Sequence, residues 1–214
     1  MSTEIGNTFG ALLENLLSGK VICNVTNDQF FVYLQDSQRR EDVDIYLRRM
    51  GRTLRQTRDG AGFFAAYTSV DESSVRAKIR GRFSEAINEF EPLIRWLRLA
   101  ALSGSGDGPL QAGDILWGSE LQKSVESAPQ LIEELARLST TRFFSNQSSG
   151  AKKQLDSILK KLCDIGYLTP VGASGSKYIA TGKWSRLYDV LQFIEAHERI
   201  DGDEDAVRQE ELID

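Results

Sequence analysis

Apolar residues recur along the first half of the chain at helical spacing and then give way to a hairpin pattern. Phe9, Leu12, Leu13, Leu16 and Leu17 fall at i, i+3, i+4, i+7 and i+8, one face of a helix that Ser18-Gly19 closes. Val21-Ile22-Cys23 predicts a short strand, and Thr26 or Asn27 caps a helix running through Phe30, Phe31, Tyr33 and Leu34 to about Asp36. Val43, Tyr46, Leu47 and Met50 place a third apolar stripe, and Gly51 stands where a left-handed helix-ending residue belongs. Thr53–Thr57 and Phe63–Tyr67 flank Arg58-Asp59-Gly60-Ala61-Gly62, the signal of an antiparallel hairpin with a glycine-rich tip.

The second half repeats this order. A helix over Glu91–Leu102, part of a longer one beginning near Ser84, leads into the flexible stretch Ser103–Pro109. Leu110–Leu116 supplies a short strand, Glu120–Glu126 and Pro129–Leu138 two helices, and Lys152–Ile165 a third with Leu155, Ile158, Leu159, Leu162 and Ile165 on one face. Ser145–Gly150 reads as a surface loop. After Gly166, Tyr167–Thr169 and Lys177–Ala180 flank the glycine-rich Gly172–Ser176, and Trp184, Leu187, Leu191 and Ile194 make a terminal helix. A shift of 115 residues brings Leu47, Met50 and Gly51 onto Leu162, Ile165 and Gly166. Three helices followed by a two-stranded flap is the order of a winged helix, so the expected fold is mainly α with small β (α+β), in tandem winged-helix domains. The divisions are 1–72 for the first winged helix, 73–102 for connecting helices, 103–109 for the linker, 110–200 for the second winged helix and 201–214 for an acidic tail expected to be disordered.

Composition narrows the chemistry. The chain has 214 residues, 41% apolar and 27% charged, which suits one large domain or two of about 100 residues each. Two cysteines, Cys23 and Cys163, are too few for a stapled secreted fold and point to a reducing compartment. No apolar stretch approaches the length of a membrane span, and Met1–Gly10 lacks the positive flank of a signal peptide, so neither membrane insertion nor export is expected. One histidine, His197, lies beside Glu195 and Glu198 with no second ligand at i+4, and Gly104–Gly108 lacks the Lys-Ser or Lys-Thr of a phosphate-binding loop. No cofactor, metal or catalytic constellation is expected. Phe143-Phe144 and Trp117 either close a core or form a partner patch.

The formal net charge of −5 conceals an asymmetry, because residues 201–214 hold seven acids against Arg208. Arg39, Arg40, Arg48, Arg49, Arg52, Arg55 and Arg58 face only Glu41, Asp42 and Asp44 within their segment, a local charge of +4, and Arg76, Lys78, Arg80 and Arg82 follow. Guanidinium forks suit phosphate geometry, so the cluster is a candidate contact for double-stranded DNA; the alternative is a solvated face with local ion pairs. Lys152, Lys153, Lys160, Lys161, Lys177 and Lys183 are the corresponding candidates in the second half. Lysine reads charge and not base identity, so binding is expected to depend weakly on sequence and strongly on salt.

Three stretches carry a resemblance: Leu17-Ser18-Gly19-Lys20-Val21-Ile22-Cys23, Leu47-Arg48-Arg49-Met50-Gly51-Arg52, and Asp59–Tyr67, with Leu162–Lys183 fitting as well. The chain resembles the MukE and MksE subunits of bacterial condensins, in the kite class of tandem winged-helix proteins, and its length is closer to MksE. The resemblance implies a cytoplasmic, nucleoid-associated homodimer that binds the middle of an MksF-like kleisin bridging the heads of an MksB-like ATPase of the structural-maintenance-of-chromosomes class. It further implies a non-enzymatic subunit that helps clamp DNA in chromosome organisation, segregation or plasmid defence. The competing reading is a dimeric winged-helix transcriptional regulator, which would read a palindrome through paired helices; an enzyme is a third.

Overall fold

A computed structural model of the chain describes residues 2–68, 89–103, 108–145, 148–172 and 176–195, with side chains from residue 8 onward. The expected helix start near Ser84, the bases Arg76, Lys78, Arg80 and Arg82, His197, most of the linker, part of the second glycine-rich tip and the segment 201–214 lie outside the described residues.

In chain order the elements are α1 (Ser2–Leu17), α2 (Asn24–Gln35), α3 (Ser37–Arg48), β1 (Arg52–Gln56), β2 (Phe63–Tyr67) and α4 (89–102). They continue with β3 (Ile115–Trp117), α5 (Gly118–Ser127), α6 (Pro129–Ser139), α7 (Ala151–Asp164), β4 (Leu168–Val171), β5 (Lys177–Ala180) and α8 (183–195). The protein is mainly α with small antiparallel sheets.

Local chemistry explains the boundaries in the first half. Gly19 ends α1 at φ +85° and Gly51 turns the chain from α3 into β1 at φ +67°, a region that costs a side-chain-bearing residue strain. Helix α2 is capped twice. Cys23 Sγ accepts from the Thr26 amide at 3.4 Å while Thr26 Oγ1 accepts from the Cys23 amide at 3.1 Å, and then Asn27 leaves helical dihedrals and its Oδ1 accepts from the Phe30 amide at 2.9 Å. The strand expected over Val21–Cys23 reduces to a single bridge, in which Ile22 and Phe63 exchange two 2.8 Å backbone hydrogen bonds. One bridge suffices because Thr26 Oγ1 takes up the neighbouring Val21 carbonyl at 3.1 Å.

Two apolar clusters form the interior. Leu12, Leu16, Leu34, Val43, Leu47 and Phe63 belong to one, and Leu93, Trp96, Leu135, Ile158, Leu162 and Trp184 to the other. The expected α3 stripe needs correction: Val43 and Leu47 are buried, but Tyr46 is 48% and Met50 44% exposed. Residues at i and i+4 aim into the core together, which turns i+3 toward α1, where Tyr46 meets Phe9 edge-on at 5.3 Å. In the second half Phe144 is buried, whereas Trp117 remains 42% exposed beneath the Lys177 ammonium, 5.3 Å from its ring.

The two halves share a strand order. Ile22 bridges β2, which pairs with β1; β3 pairs with β5, which pairs with β4. In each, the first strand in sequence lies beside the last, with the hairpin's opening strand outermost. Between first and second strands stand α2 and α3 in one half and α5, α6 and α7 in the other. The hairpin tip of the first half packs on the start of α8. A Cβ on Gly182 would lie 2.9 Å from Cys23 Cβ and 3.1 Å from the Ala61 carbonyl, and the Gly182 amide donates to Cys23 Sγ at 3.3 Å. Only glycine permits that approach.

Candidate nucleic-acid interface

Arg39, Arg40 and Arg48 sit on α3, Arg49 at its C-cap, Arg52 and Arg55 on β1 and Arg58 in the hairpin tip, and one carboxylate ties α3 to β1. Asp44 accepts from Thr53 Oγ1 at 2.9 Å, from the Leu54 amide at 2.7 Å and from Arg48 Nε at 2.8 Å. Burial raises its pKa, but the Leu54, Thr53 and Arg48 interactions outweigh that and hold the carboxyl below the usual aspartate value. The helix and strand therefore present their cations as one rigid unit.

Three guanidinium groups rest on tyrosines: Arg39 lies 4.8 Å from the Tyr33 ring centroid, Arg49 5.5 Å from Tyr46 and Arg52 3.4 Å from Tyr67. A guanidinium lying on a ring keeps its N–H edges available for a phosphate. Among the described residues no carboxylate comes within ion-pair distance of Arg39, Arg40, Arg49, Arg52 or Arg55. Arg40 and Arg55 share a cleft of about 330 Å3 between α3 and β1, lined also by Ser37, Gln56, Leu54 and Phe63.

Two arginines are spoken for. Arg48 pairs with Asp44 at 2.7 Å, although its side chain is 67% exposed. Arg58 turns to α8: its backbone amide donates to Asp189 at 3.2 Å, its Nη1 donates to Gln192 at 2.5 Å, and its Nε lies 4.0 Å from Asp189. Arg58 thus stitches the hairpin tip to the second half.

The lysines fall on elements of the second half. Lys152, Lys153 and Lys160 are exposed along α7, while Lys161 is half-buried with its ammonium 5.8 Å from the Phe143 ring. Lys177 covers Trp117 from β5. Lys183 is held by α7: its Nζ donates to the Ile165 carbonyl at 2.7 Å and lies 4.5 Å from the Tyr167 ring. Burial lowers its pKa against the opposing pull of Glu89. A lysine satisfying the last carbonyls of α7 has a structural use.

Helical geometry also sets what α3 offers outward. Gln38, Glu41, Asp42, Ile45 and Arg49 fall within one arc of the helix and are all exposed. Two carboxylates and an isoleucine in that arc disfavour entry into a groove of negative potential. Sequence reading missed Asp44 as the tie and Asp189 and Gln192 as the partners of Arg58. Those contacts span nine to 134 positions, and an aspartate inside a helical pattern carries no sign of them.

Among the described residues no group of three or more His, Cys, Asp and Glu side chains is placed to hold a metal ion. Among the same residues, no helix is long and apolar enough to cross a membrane. In comparisons with known proteins, no curated protein matches the chain. The family model of the condensin complex protein MksE matches residues 7–192. That span takes in both apolar clusters, both hairpins and the whole arginine face, and the chain accordingly belongs to the MksE family, a family of condensin accessory subunits.

Proposed function

We propose that this chain is the non-enzymatic accessory subunit of an MksBEF-type bacterial condensin, a cytoplasmic, nucleoid-associated tandem winged-helix homodimer. It binds an MksF-like kleisin, meets an MksB-like ATPase through the complex, and contributes to DNA clamping in chromosome organisation, segregation or plasmid defence. Family membership over residues 7–192 carries the assembly reading. The repeated strand order supports two winged helices, divided as the sequence suggests between 1–72 and 110–200.

For the DNA contact the supporting observation is the set Arg39, Arg40, Arg49, Arg52 and Arg55, which have no carboxylate partner among the described residues and are carried by α3, its C-cap and β1. Phosphate contacts of this kind position a protein on a duplex without reading bases. A palindrome-reading regulator is less well supported, because Glu41, Asp42 and Ile45 occupy the outer arc of the helix it would insert. Co-expression with a kleisin and an ATPase of the MksF and MksB kinds from the same genome, followed by co-purification, tests the assembly; failure of the three to associate overturns it. For DNA, Arg49→Glu with Arg55→Glu should weaken duplex binding at least tenfold in a low-salt mobility shift, with equal loss on unrelated sequences. Unchanged affinity in the folded double variant returns the cluster to a solvated face.

A further inference from the structure

The arginine face has an acidic counterpart in the same chain. Residues 39–58 carry seven arginines against three acids, and residues 201–214 carry seven acids against one arginine, a local charge of +4 facing one of −6. The acidic segment also has apolar content where it matters: Leu212 and Ile213 sit between Glu210-Glu211 and Asp214.

The cleft between α3 and β1 is complementary to such a segment. Arg40 and Arg55 line it without a carboxylate partner among the described residues, Ser37 and Gln56 add neutral donors, and half-buried Leu54 supplies apolar surface over the buried Phe63. Asp44, on the same wall, is already committed to Thr53, Leu54 and Arg48, which leaves Glu41 as the opposing charge.

The route is short. Gln192 accepts from Arg58, so α8 passes the hairpin tip one turn before its last described residue at 195. Arg55 lies three positions from Arg58, roughly 10 Å along the backbone. Residues 196–214 reach at most about 60 Å when extended, several times what the return path needs. A tether of this length sets an effective concentration of order millimolar, so even a weak intrinsic contact fills the cleft for much of the time.

We propose that residues 201–214 dock in the α3–β1 cleft of their own chain, carboxylates on Arg40 and Arg55 and Leu212-Ile213 on Leu54, and so compete with duplex for the arginine face. The docking stands on the cleft and the charges alone; its regulatory consequence rests on the DNA reading.

Two measurements on the full chain test it. A photoreactive residue at position 212 should crosslink to residues 37–56 within one copy, mapped by mass spectrometry. Adducts elsewhere, none at all, or adducts only between isotopically distinct copies overturn the docking. L212S with I213S changes no charge and should tighten duplex binding two- to tenfold, as should the seven acids replaced by their amides. A gain from the amides alone marks a long-range field effect and overturns competition at the cleft. If no variant binds duplex while the crosslink persists, the DNA reading fails and the docking stands.

Discussion

Asp44 carries more of the arginine face than any arginine does. Its carboxylate holds the Leu54 amide, the Thr53 hydroxyl and the Arg48 guanidinium at 2.7 to 2.9 Å, so α3 and β1 keep one geometry. Asp44→Ala strands the amide and hydroxyl in a partly buried site, which costs about 1–3 kcal/mol in chemical denaturation at neutral pH. The folded-state pKa lies below the unfolded value, so this stabilisation is complete above about pH 4 and fades as pH falls through the folded pKa. The gap between wild type and variant should therefore narrow in acid; a gap independent of pH would remove the ionised carboxylate from the explanation. None of this is visible along the chain, because Asp44 satisfies the helical pattern as a solvent-facing residue and meets Thr53 only once the glycine turn folds β1 back.

At the scale of elements, the periodic segments were the readable part. Leu155, Ile158, Leu159 and Leu162 were placed on one face by spacing and all four are buried in α7. Leu162→Asp puts a charge into a site with no exposure and should abolish cooperative melting of the second half, followed by near-ultraviolet circular dichroism of Trp96 and Trp184. Short elements were legible only as patterns of type. The bridge at Ile22 and the double cap of α2 depend on partners that helical periodicity does not encode, and Tyr46 and Met50 look like core residues until Val43 and Leu47 set the rotation of α3. The same limit hid the junction between halves. Gly182 reads as a loop residue, yet its Cα stands where any side chain would strike Cys23 and the Ala61 carbonyl. Gly182→Ala should destabilise by about 1–3 kcal/mol, measured by thermal denaturation, through overpacking against backbone that has little room to yield. A variant as stable as the parent would mean that the hairpin tip relaxes away freely.

For the whole molecule, the choice between a solvated face and the proposed nucleic-acid contact turns on where the charges lie. A net charge of −5 suggests a chain that avoids polyanions, but the deficit is concentrated in residues 201–214, and the rest is close to neutral, with five guanidinium groups that lack a carboxylate partner among the described residues on α3, its C-cap and β1. Sequence made that distribution legible and left open whether the arginines were paired off by Glu41, Asp42 and Asp44. In the fold only Asp44 is so used, on Arg48, while Arg58 is spent on Asp189. Five groups then remain for the proposed duplex contact: Arg39, Arg40, Arg49, Arg52 and Arg55. If each displaces one condensed counterion, the slope of log affinity against log salt should be about −4 to −5, a loss of roughly five hundredfold between 50 and 200 mM. Arg49→Glu should reduce that slope by about one unit, whereas Arg58→Gln should leave it unchanged while lowering the melting temperature, because Arg58 faces the other half of the protein. A slope near zero, or one that falls with Arg58→Gln, would relocate the contact away from α3 and β1. Isothermal titrations of one duplex at four salt concentrations decide among these outcomes, and they do so without requiring the partner subunits.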